Sequence, residues 1–124
     1  MKTIASPQAP QAVGPYSQAM VAGGFVFCSG QLGLNPATGQ FAAADTAGQA
    51  RQVLQNLAAV LEAAGSSLRL VVKCTVFLAD LNDFAAMNAE YEKAFGAHKP
   101  ARSTIEVKRL PKDARVEIEC IAVL

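Results

Sequence analysis

The sequence predicts an α+β fold in which about six strands form a mixed sheet and two helices cover one face of it. Two segments, beginning near Thr46 and near Asp80, have apolar residues at three- and four-residue steps, the spacing of a helix. The other apolar runs are short and bounded by Gly, Pro, Asn or Asp, which is typical of strands. The predicted order is β-β-β-α-β-α-β-β, in a single domain spanning residues 1–124.

The first part of the chain predicts three strands. Residues 3–15 are rich in Ala, Pro and Gln and predict a short strand followed by an irregular arm. The apolar runs 18–22 and 25–29 flank Gly23-Gly24. A Gly-Gly pair between two strand-like runs predicts a two-residue hairpin.

The middle of the chain predicts a helix and then a strand. Asp45 suits the helix N-cap and Gly65 its C-terminal stop. The apolar face of this helix contains Ala50, Val53, Leu54, Leu57, Val60, Leu61 and Ala64. The run 68–79 is almost wholly apolar and rich in β-branched residues, which predicts a central strand covered on both faces.

The second predicted helix has one polar residue, Asn88, on its otherwise apolar side. That side contains Leu81, Phe84, Met87, Asn88, Tyr91 and Phe95. An amide in an apolar environment needs a hydrogen-bond partner. Asn88 is therefore either a satisfied structural amide or a residue that faces a site.

Two strands, 101–108 and 115–123, close the chain and indicate an oligomer. In the last strand the alternate residues Val116, Ile118, Cys120 and Ala122 predict a core face. The other face mixes two carboxylates with two aliphatic residues. Since two helices cover only one face of a sheet, this mixed face is expected to pack on another subunit.

A cluster of charged residues is expected on that face. If the closing strands form an antiparallel hairpin, one register places Thr104 opposite Glu117 and Arg102 opposite Glu119, and a slip of one residue would bury charge. Such a guanidinium can bind a substrate carboxylate through two parallel hydrogen bonds, and a nearby carboxylate can move protons. The pattern alone favours a cross-strand salt-bridge ladder over a catalytic site.

Composition argues against several other functions. The net charge is +1 and no basic run is longer than two residues, which does not favour nucleic-acid binding. Cys28, Cys74 and Cys120 lie in apolar runs and predict buried, reduced thiols. His98 is the only histidine, in a loop with nothing evident to orient its ring, so neither a zinc site nor a Cys-His or Ser-His pair is expected.

No membrane or export signal is evident in the sequence. The N-terminal residues contain no apolar leader, and no apolar run approaches the ~20 residues of a membrane span. The expected location is the cytoplasm.

Several segments, taken in order along nearly the whole chain, resemble the RidA family, also called YjgF, the reactive intermediate deaminases. The matching segments include Gly14-Pro15-Tyr16-Ser17-Gln18, Ser29-Gly30-Gln31, Asp80-Leu81-Asn82-Asp83-Phe84, Pro100-Ala101-Arg102-Ser103-Thr104-Ile105-Glu106-Val107, Leu110-Pro111-Lys112-Asp113 and Val116-Glu117-Ile118-Glu119. The resemblance implies a chorismate-mutase-like fold and a homotrimer with clefts between subunits. It also implies hydrolysis of 2-aminoacrylate (as 2-iminopropanoate) and 2-iminobutanoate to 2-keto acids and ammonia, without metal or organic cofactor.

The resemblance also assigns roles to residues. Arg102 is expected to bind the substrate carboxylate, and Glu117 to position water or protons. The residues expected to line the cleft are Tyr16, Ser29, Gly30, Asn88 and Thr104. Two features differ from the family pattern: Thr104 replaces a common Cys, and the segment 95–100 is short.

Two other functions are compatible with the same residues. One is a non-catalytic trimer that binds small acids or a regulatory partner through Arg102. The other is a ribonuclease or translation inhibitor, against which the near-neutral charge and the lack of a catalytic histidine argue.

Overall fold

A six-stranded mixed sheet carries two helices. The computed structural model describes residues 1–124. The elements are β1 (Lys2–Ile4), β2 (Ala19–Ala22), β3 (Phe25–Leu32), α1 (Thr46–Ala63), β4 (Val71–Leu78), α2 (Phe84–Phe95), β5 (Ala101–Glu106) and β6 (Val116–Val123). The strands lie in the order β1-β2-β3-β6-β4-β5, and only β4 and β5 are parallel. The predicted order of elements and the mixed sheet are confirmed.

The local signals for the hairpin and for α1 are confirmed. Gly23 and Gly24 have φ of 57° and 81°, the left-handed conformation that a tight hairpin with twisted strands requires at both central residues. Asp45 caps α1, since its Oδ1 accepts a hydrogen bond from the Gly48 N–H at 3.0 Å. Gly65, with φ of 83°, follows the last turn of α1.

One hydrophobic core lies between the helices and one face of the sheet. Residues from α1, α2 and the core sides of β3, β4 and β6 belong to a single buried cluster. Cys28, Cys74 and Cys120 are free thiols inside this cluster, as predicted. No helix in the structure has both the length and the apolar character needed to cross a bilayer.

The second helix begins later than predicted. Asp80 caps a short 3₁₀ turn (Leu81–Asp83) rather than α2, because its Oδ1 accepts a hydrogen bond from the Asn82 N–H at 2.8 Å. The helix proper starts at Phe84. Leu81 and Phe84, which were expected on the apolar side, remain 46% and 38% exposed.

The expectation that the strand after α1 is covered on both faces is wrong for the single chain. In β4 the side chains of Cys74, Val76 and Leu78 are buried, whereas the alternate Lys73, Thr75 and Phe77 are only partly buried. Both helices lie on the same side of the sheet, so the opposite side has no cover within the chain. We call that side the open face. Its large exposed apolar side chains include Phe25, Phe27 and Ile105.

The predicted hairpin between the two closing strands is also wrong. Strand β4 lies between them, antiparallel to β6 and parallel to β5. This order places the apolar β4 inside the sheet, where both edges of its backbone are hydrogen-bonded. The more polar β5 becomes the edge strand, where charged side chains hinder edge-to-edge association.

Candidate functional site

Arg102 lies on the helix side of the edge strand, against α2. Its Nη1 donates a hydrogen bond to Asn88 Oδ1 at 2.8 Å. Its guanidinium carbon is 4.6 Å from the centre of the Tyr91 ring and 5.5 Å from the centre of the Phe84 ring. Asn88 therefore meets a partner, and that partner is the predicted carboxylate-binding residue.

The spacing of these α2 residues explains the arrangement. Phe84, Asn88 and Tyr91 are four and three residues apart, so they occupy one stripe of the helix. Arg102 is opposite Cys74 in the register of the sheet, and Thr104 is opposite Val76. Thr104 therefore points to the same side as Arg102. Asn88, Arg102 and Thr104 form what we call the guanidinium cluster.

Glu117 lies on the open face, beside Gly30. A Cβ added at Gly30 would overlap the Glu117 carboxylate, so the backbone of Gly30 provides the space that this side chain occupies. The pairing of β3 with β6 shifts register between Cys28 and Gln31, and this irregularity contains Gly30. Burial raises the pKa of the half-buried Glu117 carboxyl above its usual value, and the negative charge of Glu119 adds to the effect.

Ser29 connects Gly30 to the N-terminal arm. The Ser29 hydroxyl donates a hydrogen bond to the Ser17 carbonyl oxygen at 2.6 Å. Tyr16 precedes Ser17 and is 53% exposed. Ser29, Gly30 and Glu117 therefore lie together on the sheet, and Tyr16 is next in sequence to the Ser17 that binds Ser29. We call these four residues the carboxylate cluster.

The single chain does not bring these two clusters together. In the register of the sheet Cys74 opposes both Arg102 and Cys120, whereas Glu117 opposes Phe77. Because directly opposed residues point to the same side of a sheet, Arg102 points toward the helices and Glu117 toward the open face. The expected clustering of Arg102, Thr104, Glu117 and Glu119 on one face is therefore wrong within one subunit. It rested on the hairpin that β4 interrupts.

A cleft of about 380 Å³ lies beside Arg102. Residues of α2, including Asn88 and Tyr91, line one part of it, and residues of the loop at 96–100 line another. No orientation of the His98 ring was expected from the sequence, but its Nε2 lies 2.7 Å from the Val71 carbonyl oxygen and donates a hydrogen bond to it. The short loop is therefore attached to β4 at the border of the cleft.

A second cleft, of about 370 Å³ between α1 and α2, contains none of the predicted site residues. Glu90 lies at its edge with a side chain only 8% exposed, and it accepts a hydrogen bond from Arg51 Nη2 at 2.8 Å. Lys93 is a further ionic neighbour of Glu90 at 3.5 Å. The Arg51–Glu90 pair connects α1 to α2, whereas the Lys93–Glu90 pair lies within α2. No three His, Cys, Asp or Glu side chains converge as a metal site.

Sequence reasoning missed the two aromatic neighbours of Arg102. Phe84 and Tyr91 were assigned to the apolar side of α2 together with Asn88, and that assignment treated them as core. The signal that could have found them is the combination of a polar amide and two aromatic rings on one stripe, because aromatic faces attract guanidinium groups.

Comparisons with known proteins support one family. Residues 6–124 match a family model described as Endoribonuclease L-PSP. The 2-iminobutanoate/2-iminopropanoate deaminase of Escherichia coli K12 is 54% identical, over 98% of this chain and 97% of that protein. The structure of the YjgF gene product of E. coli superposes with a TM-score of 0.95 at 53% identity, covering 99% of this chain and 98% of that chain. That of E. coli TdcF with bound serine has a TM-score of 0.96 at 46% identity, covering 100% and 99%.

The family match spans almost the whole chain, and these relatives are matched over nearly their full length. Their fold is the six-stranded sheet with two helices described above. The protein therefore belongs to the Endoribonuclease L-PSP family, also called the YjgF or RidA family.

Proposed function

We propose that the protein hydrolyses small 2-imino acids, including 2-iminopropanoate and 2-iminobutanoate, to 2-keto acids and ammonia. The observation that carries this proposal is the environment of Arg102. Its guanidinium is held by a neutral amide and two aromatic rings and forms no ion pair in the chain. A held guanidinium that lacks an anionic partner suits the carboxylate of a small acid.

Two relatives support the substrate class. The E. coli protein that is 54% identical has the name of this reaction, and the TdcF structure contains serine, a ligand with an α-carboxylate and a nitrogen on the adjacent carbon. We place the reaction in the cytoplasm, where the free Cys28, Cys74 and Cys120 would stay reduced.

The proposed site is formed by two copies of the chain in a homotrimer. Arg102 lies on the helix side of an edge strand, whereas Glu117 lies on the open face, so one copy would supply the guanidinium cluster and its neighbour the carboxylate cluster. In a trimer, a head-to-tail contact of this kind closes into a ring and repeats the site at each interface. The apolar side chains Phe25, Phe27 and Ile105 on the open face favour such packing.

The chemistry follows from these two groups. Arg102 binds the substrate carboxylate and fixes the orientation of the C2=N bond, while Tyr16, Ser29, Asn88 and Thr104 shape the cleft. Glu117 accepts a proton from water as the water oxygen attacks C2. Attack on the protonated imine gives a neutral carbinolamine, and Glu117 returns its proton to the carbinolamine nitrogen. The C–N bond breaks as Glu117 accepts the hydroxyl proton and the C=O bond forms. Ammonia and the keto acid leave, and ammonia takes up the proton of Glu117.

Modest catalysis is sufficient for this reaction because imines already hydrolyse in water. Orientation of the two reactants and one general base contribute several powers of ten. The raised pKa of Glu117 favours the base role, since a carboxylate with a higher pKa holds an abstracted proton more tightly.

The test is ammonia release from 2-iminobutanoate generated in situ by a separate amino-acid-oxidising or dehydrating enzyme. We expect the wild type to accelerate the release and Arg102→Ala to abolish the acceleration without dissociating the oligomer. Arg102→Lys is the matched control, because it retains the charge and loses the two parallel donors. We expect it to recover only part of the rate.

Other outcomes would identify the competing functions. Equal rates of ammonia release with wild type and with Arg102→Ala would overturn the proposal of a deaminase. Binding of 2-oxobutanoate without any acceleration would indicate a non-catalytic small-acid-binding protein. Cleavage of RNA that is unaffected by Arg102→Ala would indicate a nuclease acting elsewhere on the chain.

A further inference from the structure

We propose that Phe84 and Tyr91 are positioning residues that fix the plane of the Arg102 guanidinium for substrate binding. The inference rests on the proposed function, in which Arg102 binds a carboxylate. Neither aromatic residue needs to touch the substrate. Both act through the orientation of Arg102.

The first argument is geometric. The guanidinium carbon of Arg102 lies 4.6 Å from the Tyr91 ring centre and 5.5 Å from the Phe84 ring centre. Both distances fall within the range of about 6 Å in which a cation is attracted to an aromatic face. The two rings come from opposite ends of one α2 stripe, with Asn88 between them. One side of the helix thus provides a hydrogen-bond acceptor and two aromatic contacts to a single guanidinium.

The second argument is that Arg102 needs such support. It extends from the edge strand β5 and has no carboxylate to hold it. A free arginine side chain has about 2 kcal/mol of rotamer entropy, which substrate binding would have to overcome. Asn88 accepts a hydrogen bond from only one guanidinium nitrogen, Nη1. A single hydrogen bond fixes a distance and leaves rotation of the plane about it, which contact with a ring restricts.

The third argument concerns the Tyr91 hydroxyl. It is buried and makes no hydrogen bond within the chain. The Cys74 thiol is its neighbour, and burial raises the pKa of the phenol above its usual value. A buried hydroxyl without a hydrogen-bond partner is unfavourable, so the Tyr91 hydroxyl does not stabilise the folded protein. The ring, which packs on both Arg102 and Phe95, is the part that makes contacts.

Phe84, unlike Tyr91, is not part of the buried core. It is 38% exposed at the first turn of α2. Its replacement should therefore leave the core of the protein intact. This makes Phe84 the cleaner site at which to test the inference.

The experiment measures the Kd of 2-oxobutanoate, the keto acid product, by calorimetry, together with KM and kcat for 2-iminobutanoate. The variants are Phe84→Leu, Tyr91→Leu and Tyr91→Phe. The control is Leu61→Ala, which disturbs the core from α1. We expect Tyr91→Leu to raise Kd and KM by about tenfold and Phe84→Leu by about threefold, the range that one cation–aromatic contact allows. Turnover at saturating substrate should fall less than affinity.

Tyr91→Phe is expected to restore wild-type affinity within about twofold, because it retains the ring. Leu61→Ala should lower the thermal midpoint without changing Kd. A merely structural role predicts the opposite pattern, in which affinity follows the thermal midpoint across all variants.

Two results would overturn the inference. One is wild-type affinity in both Phe84→Leu and Tyr91→Leu, and the other is an equal loss of affinity in Leu61→Ala. Failure of the proposed function gives a different result, since wild type and Arg102→Ala would then release ammonia at the same rate. The Kd of 2-oxobutanoate still tests the positioning role in that case, and if Tyr91→Leu does not fold, Phe84→Leu decides.

Discussion

Arg102 and Glu117 point to opposite sides of the same sheet. Arg102 shares a row with the buried Cys74 and Cys120 and lies against Asn88 of α2. Glu117 alternates with the buried Val116 and Ile118 and rests beside the backbone of Gly30. A site that uses both groups must therefore take them from different copies of the chain.

Mixed oligomers test this relationship. Arg102→Ala and Glu117→Gln should each be inactive alone. After the two variants are unfolded, mixed in equal amounts and refolded, about one quarter of the interfaces should combine an intact Arg102 with an intact Glu117. We expect activity to return to about that fraction of the wild-type rate. The control is the same procedure with each variant by itself, and absence of any recovery in the mixture would contradict a shared site.

The Glu117 carboxyl should determine the acid side of the pH–rate profile. Its pKa is raised by burial and by Glu119, so activity should fall as pH decreases through a value above the ordinary glutamate range, where the base becomes protonated. Glu119→Gln removes the repulsion between the two carboxylates and should move the acid side of the profile to lower pH. The measurement is kcat/KM against pH, which reports ionisations of the free enzyme. The control is Glu62→Gln, a change at an exposed position on α1, which should not shift the acid side of the profile.

Gly30→Ala should act through Glu117. The added Cβ would overlap the Glu117 carboxylate, which must then move. We expect loss of most activity and a destabilisation of about 1–3 kcal/mol, typical of overpacking. In a Glu117→Ala background the same substitution should have little effect on stability, because the overlapping group is absent. Denaturant unfolding of the four proteins of this cycle measures the coupling, and additive effects would contradict direct contact.

Asp83 should stabilise the junction between α1 and β6. Its Oδ2 accepts hydrogen bonds from Thr46 Oγ1 at 2.8 Å and from Arg115 Nη2 at 2.7 Å. We expect Asp83→Asn to lower the free energy of unfolding by about 1 kcal/mol at pH 7, the range for a partly exposed charged hydrogen bond. The more exposed pair of Arg109 and Asp113 is the control, and Arg109→Gln should produce no measurable change.

The Asp83 effect should depend on pH in a defined direction. Hydrogen bonds from Arg115 and Thr46 hold the pKa of the Asp83 carboxyl below its usual value. A group with a depressed pKa stabilises the folded protein at pH values above its unfolded-state pKa. This stabilisation is lost as the pH falls through the folded-state pKa. The difference between wild type and Asp83→Asn should therefore disappear in acid. A difference that stays constant down to pH 2 would show that the charge is not responsible.

Local patterns in the sequence determined the order of elements and the ends of α1. The Gly23-Gly24 hairpin and the Asp45 cap depend on a few neighbouring residues, and the helical and strand periods depend on segments of about ten. The matching segments, taken in order along nearly the whole chain, also sufficed to predict the family. These features could be predicted from the sequence because the residues that cause them are close together in the chain.

The tertiary structure decided which strands are neighbours and, through that, which side each charged residue faces. Adjacent strands in sequence are most simply paired as a hairpin, and that choice placed Arg102 and Glu117 on one face. The more apolar strand β4 lies between β5 and β6 instead and is paired on both edges. Its registers with these two strands place Arg102 and Glu117 on opposite faces. The contacts of Phe84 and Tyr91 with Arg102 follow from the same insertion. Strand order depends on the packing of residues far apart in the chain, so no local pattern contains it.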